Sequence, residues 1–493
     1  MFTYPCPDPD TSAKMLALLC LCLSALALRA GAFTLTPDAA FVISDSEPAP
    51  VRRALDDVLL DFYLVLGRRP YVFPRPPAPG SIPNATALIF LGSLAQAPWL
   101  EGLDARVPAL CAPGWEAHCV LAPAGGAGGF ASVVLATGAG DRGAMYAAYS
   151  FAEAVLGVNP WKLLLDDVPA YAGSADVPEG LALAFPPPFY KYRAAFINDE
   201  DLLAGRFPDP LRRAAIGPQT YERLFETLLR LKANMVVPAT NPFPDQDVNV
   251  LAGMRGLVLS FHHYDLLGGN VFSWPLPSSE WDFARNPAEV SAVWRAAIGA
   301  QAAIPEVVWS VGLRGLNDYP YPCSLGPAGC GAQISQAIAN QTQWVRAAQG
   351  AGAHLVLYMW DELLELLEGG HLVLPEGVQV VFTDAGQGYM PPTNGNWSKY
   401  CAGIYYHTAM YTGYGRATGT NQLSELVPVD RVYAELGRAA NASNSTTFCA
   451  CGSSRGAGAA LAPLAHTRSQ AITHTVPPCK HPPPPPHTHS LSL

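Results

Sequence analysis

Polar residues that could carry out catalysis follow a series of short apolar runs in the second half of the chain. The runs occupy 192–200, 233–241, 256–263, 306–314, 353–362, 378–385 and 402–409, and each ends in polar residues. If these runs are parallel strands, their carboxyl ends meet on one face, where barrel enzymes place their active sites. The residues at or just beyond these ends are Asn198, Asp199, Glu200, Asn241, His262, His263, Arg314, Asp318, Asp361, Glu362, Asp384, Tyr406 and His407.

The residue types in this set indicate chemistry on sugars. In glycoside hydrolysis one carboxyl group protonates the leaving oxygen, and a second one activates water or attacks the anomeric carbon. An arginine and histidines would complement an anionic sugar. Aromatic residues that could stack on sugar rings are Tyr264, Trp274, Trp281, Tyr319, Trp360 and Tyr389. Loop packing of the aromatic rings and helix capping by the carboxylates, above all by Asp361, are the competing explanations.

Seven apolar runs, separated by segments with helical periodicity, predict a (β/α)8 (TIM) barrel over residues 186–440. No eighth strand is visible. Residues 441–493 are interpreted as a low-complexity tail, either disordered or a gene-model artefact in place of the true C terminus. Residues 33–185 alternate strand and helix patterns and predict a small α/β domain before the barrel. The expected fold class is therefore α/β.

Charge and targeting signals exclude several classes of partner. The 493 residues include 30 Lys and Arg against 40 Asp and Glu, a net charge of −10, which does not suit a nucleic-acid surface. An apolar run at 15–28 follows Lys14 and precedes small residues, as in a secretory signal peptide over residues 1–32. The run is shorter than the ~20 residues of a membrane span. We expect a secreted protein with no membrane association after cleavage.

The cysteines and N-glycosylation triplets agree with a secretory route. Cys111 with Cys119 and Cys323 with Cys330 are expected to form local disulfides. Cysteine and histidine spacing does not match a zinc site, so no metal is expected. No cofactor is expected either. Acceptor triplets for N-glycans begin at Asn84, Asn340, Asn396, Asn441 and Asn444.

Several ordered segments of the chain resemble glycoside hydrolase family 115. They are YRAAFINDE, LLRLKAN, SFHH, VGLRG, VQVVFTD and IYYH, preceded by DRGAMYAAYSFAEAVLGVNPW. The resemblance covers roughly residues 35–435. It implies an inverting xylan α-1,2-glucuronidase-like enzyme, which releases glucuronic acid or its 4-O-methyl ether from polysaccharide side chains.

The resemblance also implies roles for individual residues. Glu362 would be the general acid, and Asp199 or Asp318 would be the partner carboxylate. Arg314, with His262 and His263, would bind the carboxylate of the sugar. Further substrate contacts would come from Asn198, Asp384, Tyr406 and His407.

Two segments depart from the family pattern and keep other hypotheses open. Leu316 stands where the family usually has an aspartate after Arg-Gly, and residues 383–388 read Thr-Asp-Ala-Gly-Gln-Gly instead of Ala-Asp-Asp-Asn-Trp-Gly. One alternative is a catalytically silent carbohydrate-binding homologue. Another is a different exo-glycosidase, such as a β-hexosaminidase-like enzyme, since these also place a small α/β domain before a barrel.

Overall fold

The computed structural model describes most of the chain between Ala32 and Ser453. The described residues are 32–78, 87–112, 114–197, 216–240, 243–244, 246–316, 319–360, 362–384, 389–390, 401–409, 429–443 and 448–453. Within these ranges, no helix has both the length and the apolar character required to cross a membrane.

The first domain is built on a six-stranded mixed sheet. The strands of the whole domain are β1 (Ala32–Leu35), β2 (Ala40–Val42), β3 (Tyr71–Phe73), β4 (Leu88–Ser93), β5 (His118–Leu121), β6 (Val133–Gly138), β7 (Ala175–Pro178) and β8 (Ala182–Phe185). The sheet order is β3-β2-β4-β6-β5-β8, and β1 pairs with β7 in a separate ribbon. Strand β5 is antiparallel to both neighbours, while the remaining pairs in the sheet are parallel.

Helices cover both faces of this sheet. They are α1 (Ala49–Leu66), α2 (Val107–Cys111), α3 (Asp141–Ala154) and α4 (Lys162–Leu165), with a 3₁₀ segment at Pro98–Leu103. Helix α1 buries Val51, Val58 and Phe62 on one side, at the three- and four-residue spacing of an amphipathic helix. It ends at Gly67, whose φ of 89° is left-handed and favours glycine. A Cβ there would also lie 2.8 Å from the Tyr171 ring.

The second domain is a closed barrel of parallel strands. The strands are β9 (Tyr192–Ile197), β10 (Met235–Val237), β11 (Val258–Ser260), β12 (Val307–Ser310), β13 (His354–Met359), β14 (Val378–Thr383), β15 (Cys401–Ala409) and β16 (Phe448–Ser453). They pair in chain order, and β16 returns to β9. The predicted TIM barrel is therefore confirmed, with the small α/β domain before it.

The described helices of the barrel pack outside the strands. They are α5 (Pro218–Arg230), α6 (Gln246–Met254), α7 (Pro287–Ala300), α8 (Gly326–Gln349), α9 (Glu362–Glu368) and α10 (Val429–Ser443). Short 3₁₀ segments at Leu266–Gly268, Val271–Ser273 and Ser278–Glu280 lie between β11 and α7. Because side chains alternate along a strand, Phe196, Tyr358 and Tyr405 fill the barrel interior. Their neighbours face the surrounding helices.

The eighth strand corrects the expectation that the barrel lacks one. Phe448–Ser453 pairs with Gly403–Ala409 on one side and with Tyr192–Ile197 on the other. These residues lie in the segment expected to be tail, and α10 also extends past the expected boundary at residue 440. The segment reads FCACGS, which has little β propensity of its own. The segment is a strand because its backbone pairs with the strands on both sides, and its residue types alone do not predict this.

Both predicted local disulfides are present in the structure. Cys111 and Cys119 are bonded, with their Cα atoms 4.9 Å apart, and Cys323 and Cys330 are bonded across 5.7 Å. The first bridge ties α2 to β5 in the first domain. The second ties the β12–α8 connection to α8 itself, which holds one loop of the barrel mouth.

Buried ion pairs connect the two domains. Asp61 on α1 is fully buried and accepts hydrogen bonds from Lys162 at 2.5 Å and from Arg230 of the barrel helix α5 at 2.8 Å. Arg193 on β9 donates to Glu116 of the first domain at 2.5 Å. A buried charge without its partner is costly, so these contacts strongly favour one arrangement of the domains.

Candidate active site

Six of the predicted site residues lie at the carboxyl ends of barrel strands. His262 and His263 follow β11, Arg314 follows β12, and Glu362 begins α9 shortly after β13. Asp384 directly follows β14, and His407 lies in β15. Since all strands are parallel, these ends share the mouth of the barrel. Asn198, Asp199 and Asp318 lie outside the described residues, as do Glu200, Asn241 and Asp361.

An ion pair between Arg314 and Glu362 links the β12 and β13 ends. Arg314 Nη1 donates to Glu362 Oε2 at 2.5 Å. The arginine side chain is 2% exposed and that of Glu362 is 23% exposed, so the carboxylate is the accessible partner. The backbone N–H of Tyr321 donates to the other oxygen, Oε1, at 3.2 Å. The indole N–H of Trp281 donates to the Arg314 carbonyl at 2.9 Å and steadies the backbone that carries the guanidinium.

Asp384 and His407 form a second polar contact at the mouth. Asp384 Oδ1 accepts from the backbone N–H of His407 at 3.0 Å and lies 2.5 Å from its Nδ1. The aspartate side chain is 0% exposed, whereas the histidine side chain retains 6%. The buried Asp384 carboxylate therefore holds His407, and its contact with substrate stays a prediction.

The paired histidines after β11 are packed among aromatic rings. The His262 ring centroid is 4.1 Å from that of His263 and 4.2 Å from that of Tyr264. His263 stacks on Trp360 with centroids 4.8 Å apart, and Trp360 is 5.5 Å from the His407 ring. These contacts connect the β11, β13 and β15 ends into one cluster of rings.

His262 is neutral and has hydrogen-bonding capacity to spare. Burial lowers its pKa well below the usual range, and electrostatic interactions with His263, His407 and Arg314 lower the pKa further. Neither ring nitrogen has a hydrogen-bond partner within the part of the chain that the structure describes. A neutral imidazole offers one donor and one acceptor, which is the pattern that a sugar hydroxyl group requires.

Tyr406 is separated from the other predicted site residues. Along β15, Tyr405 points into the barrel interior, and Tyr406 is fully buried in the core between strands and helices, close to α10. A strand alternates its side chains, so a residue beside His407 in sequence faces the opposite side of the sheet. Tyr405, two residues before His407, takes the inward position, with ring centroids 4.8 Å apart.

A tyrosine and an aspartate that sequence analysis did not identify extend the site. The Tyr321 hydroxyl donates to Asp282 Oδ1 at 3.1 Å, while the Tyr321 backbone contacts Glu362. Burial, followed by the charge of Asp282, raises the pKa of Tyr321 to about 12, so the hydroxyl stays protonated. Both residues lie in loops without strand or helix periodicity, and no sequence pattern singled them out.

The aromatic residues near the mouth divide into packed and exposed rings. Trp281 is buried and makes an edge contact with Trp274 at 4.9 Å, which fits the packing explanation. Tyr319 is 69% exposed, and Tyr389 is about half exposed. Phe272 is also exposed, and its ring lies 6.4 Å from Tyr264 beside the histidines. These three rings are available to a ligand.

No group of three or more potential metal ligands occurs among the described side chains. The polar residues at the mouth contact one another directly, as Arg314 with Glu362 and Asp384 with His407. What the arrangement offers is an accessible carboxylate, a buried guanidinium and an oriented imidazole, which together suit acid–base chemistry on an anionic ligand.

Comparison with known proteins identifies the family. The model for glycosyl hydrolase family 115 matches residues 186–451. A solved family GH115 4-O-methyl-alpha-glucuronidase, BtGH115A, with specificity for decorated arabinogalactans, is similar with a TM-score of 0.71 and 23% identity over 85% of this chain. This chain spans 54% of the length of that protein. A comparison with curated proteins finds no match.

A second structural similarity concerns the fold. The N-acetyl-beta-hexosaminidase of Streptomyces plicatus, solved with Thio-NAglucal, has a TM-score of 0.51 and 13% identity over 86% of this chain and 82% of its own. At such identities the likeness shows a shared fold, namely an α/β domain before a barrel. The family model, in contrast, matches more than half of the sequence and ends within the eighth strand. The chain belongs to glycosyl hydrolase family 115.

Proposed function

We propose that this protein is a glycosidase that removes glucuronic acid or 4-O-methylglucuronic acid from the side chains of xylan-like polysaccharides. The observation that carries the proposal is the Arg314–Glu362 pair at the barrel mouth. A guanidinium binds a carboxylate with two parallel hydrogen bonds, so Arg314 is suited to a uronic acid. Glu362 lies beside it, accessible, and is suited to protonate the leaving oxygen.

Binding of the uronate would prepare Glu362 for its role as the acid. In the structure, Arg314 compensates the negative charge of Glu362, with Nη1 2.5 Å from Oε2. When the sugar carboxylate takes the guanidinium, Glu362 loses part of that compensation and gains a negative neighbour. Both changes favour its protonated form, which is the form that a general acid needs. A neutral sugar would leave the ion pair in place, so this arrangement selects for uronic acids.

The histidine cluster would hold the sugar hydroxyl groups. His262 is neutral, buried and without a partner for either ring nitrogen in the described part of the chain. A buried polar group of this kind costs free energy until a ligand or water pairs with it. Trp360, which stacks on His263, offers its aromatic ring to the apolar side of a sugar ring.

Release of glucuronic acid from defined oligosaccharides tests the proposed activity. The protein would be incubated with xylo-oligosaccharides that carry a single 4-O-methylglucuronic acid, with neutral aryl glycosides and N-acetylglucosaminides as parallel substrates. Release of the uronic acid alone supports the proposal, and proton NMR of the first-formed anomer tests inversion. Binding of uronic acid without release would favour the catalytically silent homologue, in which Leu316 replaces an acid. Release of N-acetylglucosamine would favour the hexosaminidase-like alternative.

We also propose that the protein acts outside the cell after removal of residues 1–32. The apolar run at 15–28, the two disulfides and the glycosylation triplets support this location. The N-terminal sequence of protein secreted from a eukaryotic host would test it. A mature N terminus near residue 32, with a mass decrease after glycosidase treatment, is the expected result.

A further inference from the structure

We propose that His407, held by Asp384, is the general base that activates the attacking water. This inference rests on the proposed function and deepens it, because it assigns the base to an imidazole instead of Asp199 or Asp318. The pair is an aspartate and a histidine in direct contact, placed at the ends of the neighbouring strands β14 and β15.

The geometry sets the tautomer of His407. Asp384 Oδ1 lies 2.5 Å from Nδ1, and an ionised carboxylate can only accept, so Nδ1 carries a proton. In the neutral ring the lone pair is then on Nε2. The same oxygen accepts the backbone N–H of His407 at 3.0 Å, which prevents the carboxylate from rotating away. Nε2 makes no hydrogen bond to the described residues, so it is available to a water molecule.

Burial distinguishes the roles of the two partners. The Asp384 side chain has no exposed surface, so it cannot contact a water molecule that approaches from the mouth. The His407 side chain keeps 6% of its surface exposed and is enclosed by Tyr405 and Trp360, with ring centroids at 4.8 and 5.5 Å. His407 is therefore the catalytic residue of the pair, and Asp384 is a positioning residue. Aspartate in this position orients the imidazole and stabilises the imidazolium without becoming protonated.

The step balances in atoms and electrons. An O–H bond of water breaks and its proton moves to His407 Nε2, while the oxygen forms a bond to the anomeric carbon. The bond from that carbon to the leaving oxygen breaks, and its electron pair stays on the leaving oxygen. That oxygen takes the proton of the Glu362 carboxyl group. Exchange of protons with solvent restores both residues for the next cycle.

Chemical rescue of a truncated histidine tests the proposal. His407→Ala leaves a cavity in which an added imidazole can bind. We expect kcat on a uronic-acid oligosaccharide to fall by about 10²–10⁴-fold, the usual contribution of a positioned base. Added imidazole should restore at least a tenth of the lost activity in a saturable manner. His354→Gln, at the opposite end of the barrel, is the matched control and should change neither kcat nor its response to imidazole.

A second variant addresses the positioning role. Asp384→Asn keeps the shape of the side chain, but its amide nitrogen can donate to Nδ1 and so stabilise the wrong tautomer. We expect kcat to fall by up to about 10⁴-fold with KM changed less than threefold. The wild-type pH–kcat profile should have an acidic limb, because protonation of Nε2 removes the base. This limb should be lost from the residual activity of His407→Gln.

Clear outcomes would overturn the inference. Suppose that His407→Ala has the same unfolding temperature as the wild type. If it then retains activity within tenfold, or does not respond to imidazole, His407 is not the base. An acidic limb near pH 4 that disappears in Asp199→Asn or Asp318→Asn would return the role to a carboxylate. If the wild type itself releases no uronic acid, the proposed function fails first, and that result is distinct from a failure of the dyad.

Discussion

Replacing Glu362 by glutamine should abolish turnover and tighten the binding of glucuronate. Glu362 and the sugar carboxylate compete for the same guanidinium, which lies 2.5 Å from Glu362 Oε2. Glutamine keeps the length of the side chain and its acceptor for the Tyr321 N–H, while it removes the negative charge. The change therefore isolates the competition from other contacts of the site.

The magnitude follows from the exchange of one charge-assisted hydrogen bond. A hydrogen bond to a charged group contributes about 1.5–3 kcal/mol. The Glu362 side chain is 23% exposed. When the sugar displaces its carboxylate from Arg314, water can hydrate that carboxylate, and this recovers part of the free energy of the lost hydrogen bond. We therefore expect the variant to gain about 1–2 kcal/mol in glucuronate affinity, equivalent to roughly 5–30-fold in Kd. Glucose, which has no carboxylate, should show no comparable gain.

Isothermal titration calorimetry of both proteins with glucuronate and with glucose measures this difference directly. Raised salt should reduce the gain little, because Arg314 is buried. Equal or weaker binding of glucuronate by Glu362→Gln would refute the argument that the two carboxylates share one guanidinium. A gain of the same size for glucose would show a general relaxation of the site.

Further variants test other parts of the structure. Arg314→Lys keeps the charge but loses the two-pronged contact, so glucuronate affinity should fall on the order of a hundredfold in calorimetry; unchanged affinity would make the arginine structural. Phe272→Ala removes an exposed ring beside the mouth and should raise KM severalfold on polymeric substrate but not on an aryl glucuronide. Asp61→Asn removes the buried carboxylate that Lys162 and Arg230 share and leaves Glu226 as the carboxylate near both, so it should lower the free energy of unfolding by about 3–5 kcal/mol in urea titration, against less than about 1 for an exposed aspartate. Lys232 is buried and its pKa is lowered to about 7, by burial and then by Arg230, so the folded state binds fewer protons than the unfolded state between pH 7 and 10. Wild-type stability should therefore rise with pH in that window relative to Lys232→Met, by at most about 1.4 kcal/mol per pH unit, and parallel curves for the two proteins would contradict this.

The sequence by itself determined the architecture and most of the barrel mouth. Apolar runs that end in polar residues are local features, and a parallel barrel brings all such ends to one face whatever the details of packing. His262, Arg314 and Glu362 were therefore predictable as neighbours of a common site. The two disulfides were also predictable, because bridges across seven or eight residues need only local geometry.

Only the tertiary structure decided the eighth strand and the roles within the site. Phe448–Ser453 has weak strand character and becomes a strand because β9 and β15 supply partners on both sides. The sequence does not distinguish Tyr405 from Tyr406. The pleat of β15 places Tyr406 in the core between strands and helices, and Tyr405 in the barrel interior. Asp384 contacts His407 because the register of adjacent strands brings one carboxylate oxygen to both the ring and the backbone of the histidine. Strand pairing and burial depend on residues far apart in the chain, so no local pattern encodes them.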